Sequence, residues 1–209
     1  MEKIKVYVVG GDICYASWLN NYEIVDKLED AKIVIFTGGE DVDPSLYGKQ
    51  KNPRTYSNLD RDLTEKAEFE KIKPNQLVIG ICRGSQFICV MNGGILVQDC
   101  EGHAICGTHL ITNMNNIYVD ITSTHHQMQY PFYLNSSDYT LLYWSASNLS
   151  PFYDGDGVSR VFYEPEIVLY HKEGMPKCLA IQGHPEYMRK EAPIIEILNN
   201  IVNKCLEDL

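Results

Sequence analysis

The stretch Leu77-Val78-Ile79-Gly80-Ile81-Cys82-Arg83-Gly84-Ser85-Gln86 passes from an apolar, β-branched run into a helix-forming one across two glycines. Leu77-Val78-Ile79 reads as a strand buried on both faces, and Phe87-Ile88-Cys89-Val90-Met91 continues as a helix. Gly80 and Gly84 bracket Cys82 as G-x-C-x-G, a nucleophile elbow with cysteine in the serine position. The glycines let strand and helix backbones crowd together and leave the thiol exposed above the sheet. The helix N-terminus favours a thiolate at Cys82, and the Arg83 N–H is placed to donate to an oxyanion beside the sulfur. A free cysteine is more commonly an inert buried hydrophobe, so the pattern needs a base before it carries chemistry.

That base lies far down the chain, in Gln182-Gly183-His184-Pro185-Glu186 after the strand-like Cys178-Leu179-Ala180-Ile181. In extended chain, residues two apart face the same way, so Glu186 can take the imidazole N–H of His184 and fix its tautomer. A strained cysteine and a carboxylate-oriented histidine, each at the carboxyl end of a central strand, are the parts of covalent acyl transfer.

Gly80 to Gln86 together with Gly183-His184-Pro185-Glu186 resembles the class I glutamine amidotransferase superfamily. Thr37-Gly38-Gly39-Glu40-Asp41-Val42-Asp43-Pro44-Ser45-Leu46-Tyr47-Gly48 and Ser123-Thr124-His125-His126-Gln127 are similar to its γ-glutamyl-γ-aminobutyrate hydrolase branch, peptidase C26. The resemblance implies a Cys82–His184–Glu186 triad, an oxyanion hole from the Gly39 and Arg83 N–H groups, and a Gln86 that holds the α-amino end of a γ-glutamyl group. It implies a small-molecule γ-glutamyl substrate, no cofactor, and attack of Cys82 on the δ-carbonyl to give a thioester that water opens. The Ser123-Thr124 segment is read as offering backbone and hydroxyl groups to the substrate's α-carboxylate, and Asp43 as bordering the substrate. One alternative is a glutaminase subunit that delivers ammonia to a separate synthetase. Another is a vestigial binding module. The motifs handle the γ-glutamyl half alone, so the amine is left open, and Met128 to Tyr163 carries no matching motif.

Composition narrows the class. A length of 209 residues suits one domain with a substantial core, and 44% hydrophobic residues suit a globular chain. Eighteen basic against 28 acidic residues, a net charge of −10, argues against nucleic acid or an anionic membrane surface as partner. The sequence runs from Met-Glu-Lys-Ile-Lys straight into Val-Tyr-Val-Val, without the pattern of a signal peptide or a spanning segment. Seven cysteines, an odd number, fit free thiols in the cytoplasm better than a disulfide framework.

The expected fold is α/β: a flavodoxin-like, doubly wound, mostly parallel sheet with helices on both faces. Ile4 to Val9 and Lys32 to Phe36 read as strands, with Tyr15 to Leu28 as a helical crossover between them on the spacing of Leu19, Tyr22, Val25 and Leu28. Arg61 to Ile72 and Pro193 to Leu206 read as helices, and Asn116 to Ile121 as a strand. Alternating runs around Asp154-Gly155-Asp156-Gly157 predict a β-hairpin elaboration between about Tyr130 and Tyr170. Cys100, His103, Cys106 and His109 recur every three residues, but such steps drift around a helix, and Gly102 and Gly107 oppose one. No metal site is expected from them.

Overall fold

The computed structural model describes residues 2–159 and 161–209. Its strands are β1 (Ile4–Val8), β2 (Tyr22–Ile24), β3 (Ile33–Phe36), β4 (Leu77–Ile81), β5 (Ile95–Val97), β6 (Asp99–Cys100) and β7 (Ala104–Thr112). They continue as β8 (Val119–Thr124), β9 (Met128–Tyr130), β10 (Tyr139–Ser145), β11 (Tyr153–Asp154), β12 (Pro165–Tyr170) and β13 (Cys178–Ile181). The α-helices are α1 (Leu59–Phe69), α2 (Arg83–Met91) and α3 (Pro193–Glu207).

The main sheet runs β2-β1-β3-β4-β13-β12-β10-β7-β8. From β2 to β13 every pairing is parallel, in the flavodoxin-like order. From β13 onward the pairings are antiparallel. The parallel half is buried on both faces. Ile33, Ile35, Ile79, Ile81, Leu179 and Ile181 pack toward Ile194, Leu198 and Val202 of α3. Alternate residues Val34, Phe36, Val78 and Ala180 pack toward Phe87 and Ile88 of α2 and Phe69 of α1. The period-two change of face inside unbroken apolar runs is what puts one helix layer on each side.

Two expectations are corrected. Tyr15 to Leu28 is not a helix: 3-10 turns at Ile13–Ala16 and Leu28–Asp30 flank β2. Asn21 is left-handed at φ 50°, which ends any helix there, and Tyr22-Glu23-Ile24 pairs with β1 instead. The expected β-hairpin elaboration is present as the antiparallel β10–β12 pair, which joins the main sheet, while β11 pairs with β6 and β9 with β5 in small ribbons. The far edge is the long β7–β8 hairpin, of which Asn116 to Ile121 anticipates only part. Among the described residues no helix is long and apolar enough to cross a membrane.

Candidate active site

Cys82 sits between β4 and α2 at φ 54° and ψ −111°, a strained conformation for a residue with a side chain. Two close approaches hold it there. A Cβ on Gly80 would lie 2.3 Å from the Gly84 carbonyl oxygen, and one on Gly84 would lie 2.2 Å from the Phe36 carbonyl oxygen. Larger residues at either place would push strand and helix apart and relax the turn. The Cys82 N–H donates to the Ile181 carbonyl at 2.8 Å, tying the elbow to β13.

The same strand delivers the base. Ile81 pairs with Ile181, so His184 leaves β13 beside Cys82 as it leaves β4. His184 Nδ1 lies 2.7 Å from Glu186 Oε1, and because a carboxylate only accepts, Nδ1 carries the hydrogen and Nε2 is left for the thiol. The Thr122 hydroxyl brackets the His184 backbone, accepting its N–H at 2.7 Å and donating to its carbonyl at 3.0 Å. The Tyr187 ring stacks on the imidazole at 4.7 Å between centroids and 10° between planes. Burial alone would lower the imidazole's pKa, but hydrogen bonding and charge from Cys82 and Glu186 outweigh it and push it up to about 10.

Gly38 forms the third wall. A Cβ there would lie 3.1 Å from His184 Cε1, 3.6 Å from Cys82 Cβ and 2.8 Å from the Tyr15 hydroxyl, so the chain passes directly against thiol and imidazole. Gly39 follows at φ 136°, where a Cβ would collide with Arg61 Nη1 at 2.2 Å. Arg61 of α1 braces this turn, donating to the Gly38 carbonyl at 2.9 Å, to Thr37 Oγ1 at 3.2 Å and to Glu40 at 2.8 Å. The Arg83 side chain is buried and paired with both Asp62 and Glu65 of α1, which fixes the start of α2 and leaves only its backbone N–H for the site. Arg61, Asp62 and Glu65 read in sequence as the charged face of a helix, and nothing local marks them as supports of the site.

The expected substrate contacts divide. Gln86 is buried and its Nε2 donates to the Gln127 carbonyl at 2.9 Å, so the amide ties α2 to the 123–127 segment. Ser123 points away from Thr122 and Thr124, as neighbours in a strand must, and its hydroxyl donates to the His103 carbonyl at 2.6 Å. Asp43 caps the 3-10 turn Pro44–Tyr47, accepting from Ser45 N, Ser45 Oγ and Ser57 Oγ. Burial opposes its charge, yet those bonds hold the carboxyl at about 2. The polar atoms of Ser123 and Asp43 thus make bonds inside the protein. Thr124 is exposed and lines an open groove of about 730 Å³ with Thr122, Tyr187 and Met188. A second groove, of about 640 Å³, opens on the other side of Gly38 between Tyr15 and Arg61. Tyr187 and Thr122 contact His184 and were missed in sequence; Thr122 lies one residue before the Ser123–Gln127 motif.

The comparisons agree with this architecture. A putative GMP synthase subunit of Thermoplasma acidophilum superposes over 99% of this chain and 96% of its own, with a TM-score of 0.61 at 17% identity. A glutamine amidotransferase of Thermotoga maritima superposes over 100% and 90%, with a TM-score of 0.52 at 16% identity. These likenesses concern the fold. In sequence, protein NtpR of Enterococcus hirae is 40% identical over 77 residues, 36% of this chain and 30% of NtpR. A putative glutamine amidotransferase-like protein of Lactococcus lactis is 37% identical over 84 residues, 36% of each chain. The matches thus span about a third of those relatives' lengths. The Peptidase C26 family profile matches residues 14–133, more than half of the chain and including the Gly38-Gly39 turn, the elbow and the His125-His126 segment; the chain belongs to the Peptidase C26 family.

Proposed function

We propose that the protein is a cysteine-dependent hydrolase of γ-glutamyl amides, acting on glutamine or γ-glutamyl amines through a thioester on Cys82. The observation that carries the reading is a strained Cys82 and a Glu186-bound His184 side by side at the ends of adjacent parallel strands. The chemistry follows from that pairing. His184 Nε2 holds the proton that it shares with the thiol, the sulfur adds to the δ-carbonyl, and the C–N bond breaks as the imidazolium gives that proton to the departing amine. Water, deprotonated by the same imidazole, then opens the thioester and releases glutamate. We assign the oxyanion to the backbone N–H groups of Gly39 and Arg83; a helix's first N–H groups lack partners within the helix and are free to donate. Thr124 borders the substrate, and Gln86 shapes the pocket by holding the Gln127 main chain.

The T. acidophilum neighbour's name motivates a second reading, in which ammonia from glutamine passes to a separate synthetase. A turnover panel of glutamine against several γ-glutamyl amines, with the protein alone, separates the two. The hydrolase reading expects the amines to be cleaved at least as readily as glutamine. Negligible activity on all of them, restored for glutamine by a co-purifying synthetase, would replace it with the second.

A further inference from the structure

Behind Ser123, away from the thiol, three histidines and two glutamates are gathered in the interior. His103 precedes β7, His125 follows β8, and Glu164 and Glu166 flank or lie in β12; His103, Glu164 and Glu166 have no exposed surface. Glu166 Oε1 is faced by His103 Nδ1 at 3.5 Å, His125 Nε2 at 3.8 Å and His109 Nε2 at 3.1 Å. Against the effect of burial, the Glu166 charge pushes the His109 pKa up, and His109 is its nearest partner. Among the described residues neither Glu166 oxygen has an aligned hydrogen bond, and neither His125 Nε2 nor His103 Nε2 has one. A fully buried carboxylate is costly unless its lone pairs are met, and His109 approaches only Oε1, which leaves Oε2 without a partner among the described residues.

The tautomers sharpen this. His125 Nδ1 lies 2.9 Å from the Gln127 carbonyl, which can only accept, so Nδ1 carries the hydrogen and a neutral ring turns the Nε2 lone pair at the carboxylate. His103 has Nε2 3.1 Å from Glu164 Oε2, which leaves Nδ1 facing Glu166 at 3.5 Å and the Ser123 hydroxyl at 3.4 Å. Glu164 is itself held by Leu149 N, Ser150 N and the Tyr153 hydroxyl. Two imidazole lone pairs and one carboxylate converge, and each ring's other nitrogen rests on a carboxylate or a carbonyl. Metal-ligating histidines are oriented in this way.

We propose that His103 Nδ1, His125 Nε2 and the Glu166 carboxylate form a binding site for one divalent transition-metal ion of zinc-like chemistry. One donor atom from each residue lies within 4.8 Å of the others. Tetrahedral bonds of about 2.0–2.1 Å place ligand atoms roughly 3.3–3.4 Å apart, so the two Glu166 edges need to close by only a few tenths of an ångström. Two imidazoles disfavour magnesium and calcium, which prefer oxygen ligands throughout. The site does not use the Cys-His spacing. Cys100 and Cys106 take no part, and His103 is joined by residues from elsewhere in the chain. An ion here pins β7, β8 and β12 together behind the Thr122 hydroxyl that seats His184.

The test uses the full chain stripped with a chelator and titrated with zinc ion against a chromophoric competitor. A Cys82→Ser variant serves as background, because a thiol beside an imidazole is a competing zinc site. The expected result is one equivalent bound, a higher unfolding temperature on adding zinc, and affinity lowered roughly tenfold or more by Glu166→Gln or His125→Gln. No stoichiometric binding in the Cys82→Ser background, or unchanged affinity in Glu166→Gln, overturns the proposal. If those variants do not fold, cobalt ion in the Cys82→Ser chain decides. Visible ligand-field bands without thiolate charge transfer support the site, and a thiolate band or no bands refutes it.

Discussion

Replacing Arg83 with methionine should damage stability far more than removal of a surface charge. The guanidinium is 2% exposed and lies between Asp62, at 0%, and Glu65, at 6%. Glu65 keeps Arg61 Nε at 2.8 Å in the variant, but Asp62 keeps only the Asp43 N–H at 2.8 Å. Removing one partner of a buried ion pair costs about 3–5 kcal/mol, because the other charge stays buried alone. For a chain of this length that is a fall of roughly 6–20 °C in the unfolding midpoint. Burial already pushes the Asp62 carboxyl above its ordinary range, against the pull of Arg83. Without Arg83 it rises further, so the folded variant binds a proton more tightly than the unfolded chain, and the deficit shrinks as pH falls. Thermal and urea unfolding of the wild type, Arg83→Met, and a triple variant adding Asp62→Asn and Glu65→Gln check this. The triple variant should recover most of the loss. A deficit under about 1 kcal/mol for Arg83→Met, the worth of an exposed pair, would refute the reasoning.

Two further outcomes concern the site. Gly84→Ala sets a Cβ 2.2 Å from the Phe36 carbonyl, so it should cost about 1–3 kcal/mol or more and abolish turnover, whereas Gly107→Ala, with nothing nearer than 3.7 Å, should do neither. Glu186→Gln removes one of the groups that raise His184, so the alkaline limb of kcat/KM should move to lower pH; a limb that stays put separates Glu186 from the imidazole. In the wild type the raised His184 contributes stability that is complete below its ordinary value of 6.5 and is lost as pH rises through about 10.

Much of the parallel half was legible because its signals are local. The apolar runs ending at Phe36, Ile81 and Ile181 are each long enough for one strand, and glycine or cysteine chemistry follows each of them directly. The α3 stripe was readable for the same reason. Tyr15 to Leu28 misled because helical spacing of four apolar residues says nothing of Asn21, whose left-handed backbone breaks the helix. Within the candidate site, Cys82, His184 and Glu186 could be picked out by spacing, and the structure brings His184 and Glu186 together beside Cys82. Arg61, Thr122 and the histidine cluster depend on strands and helices far apart in sequence, and no window on the chain contains them. Asp43 and Ser123 carry the opposite ambiguity: a polar residue near a motif is as ready to cap a turn or satisfy a buried carbonyl as to meet a ligand.

The central claim is that Cys82 becomes acylated. The most direct measurement is to mix the protein with glutamine or a γ-glutamyl amine, quench in acid within a turnover, and map the adduct by peptide mass spectrometry. The expected result is a γ-glutamyl thioester on the peptide carrying Cys82, none on the exposed Cys14 and Cys106, and none in His184→Ala. Turnover that proceeds with no adduct on Cys82, or that survives in Cys82→Ala, would contradict it.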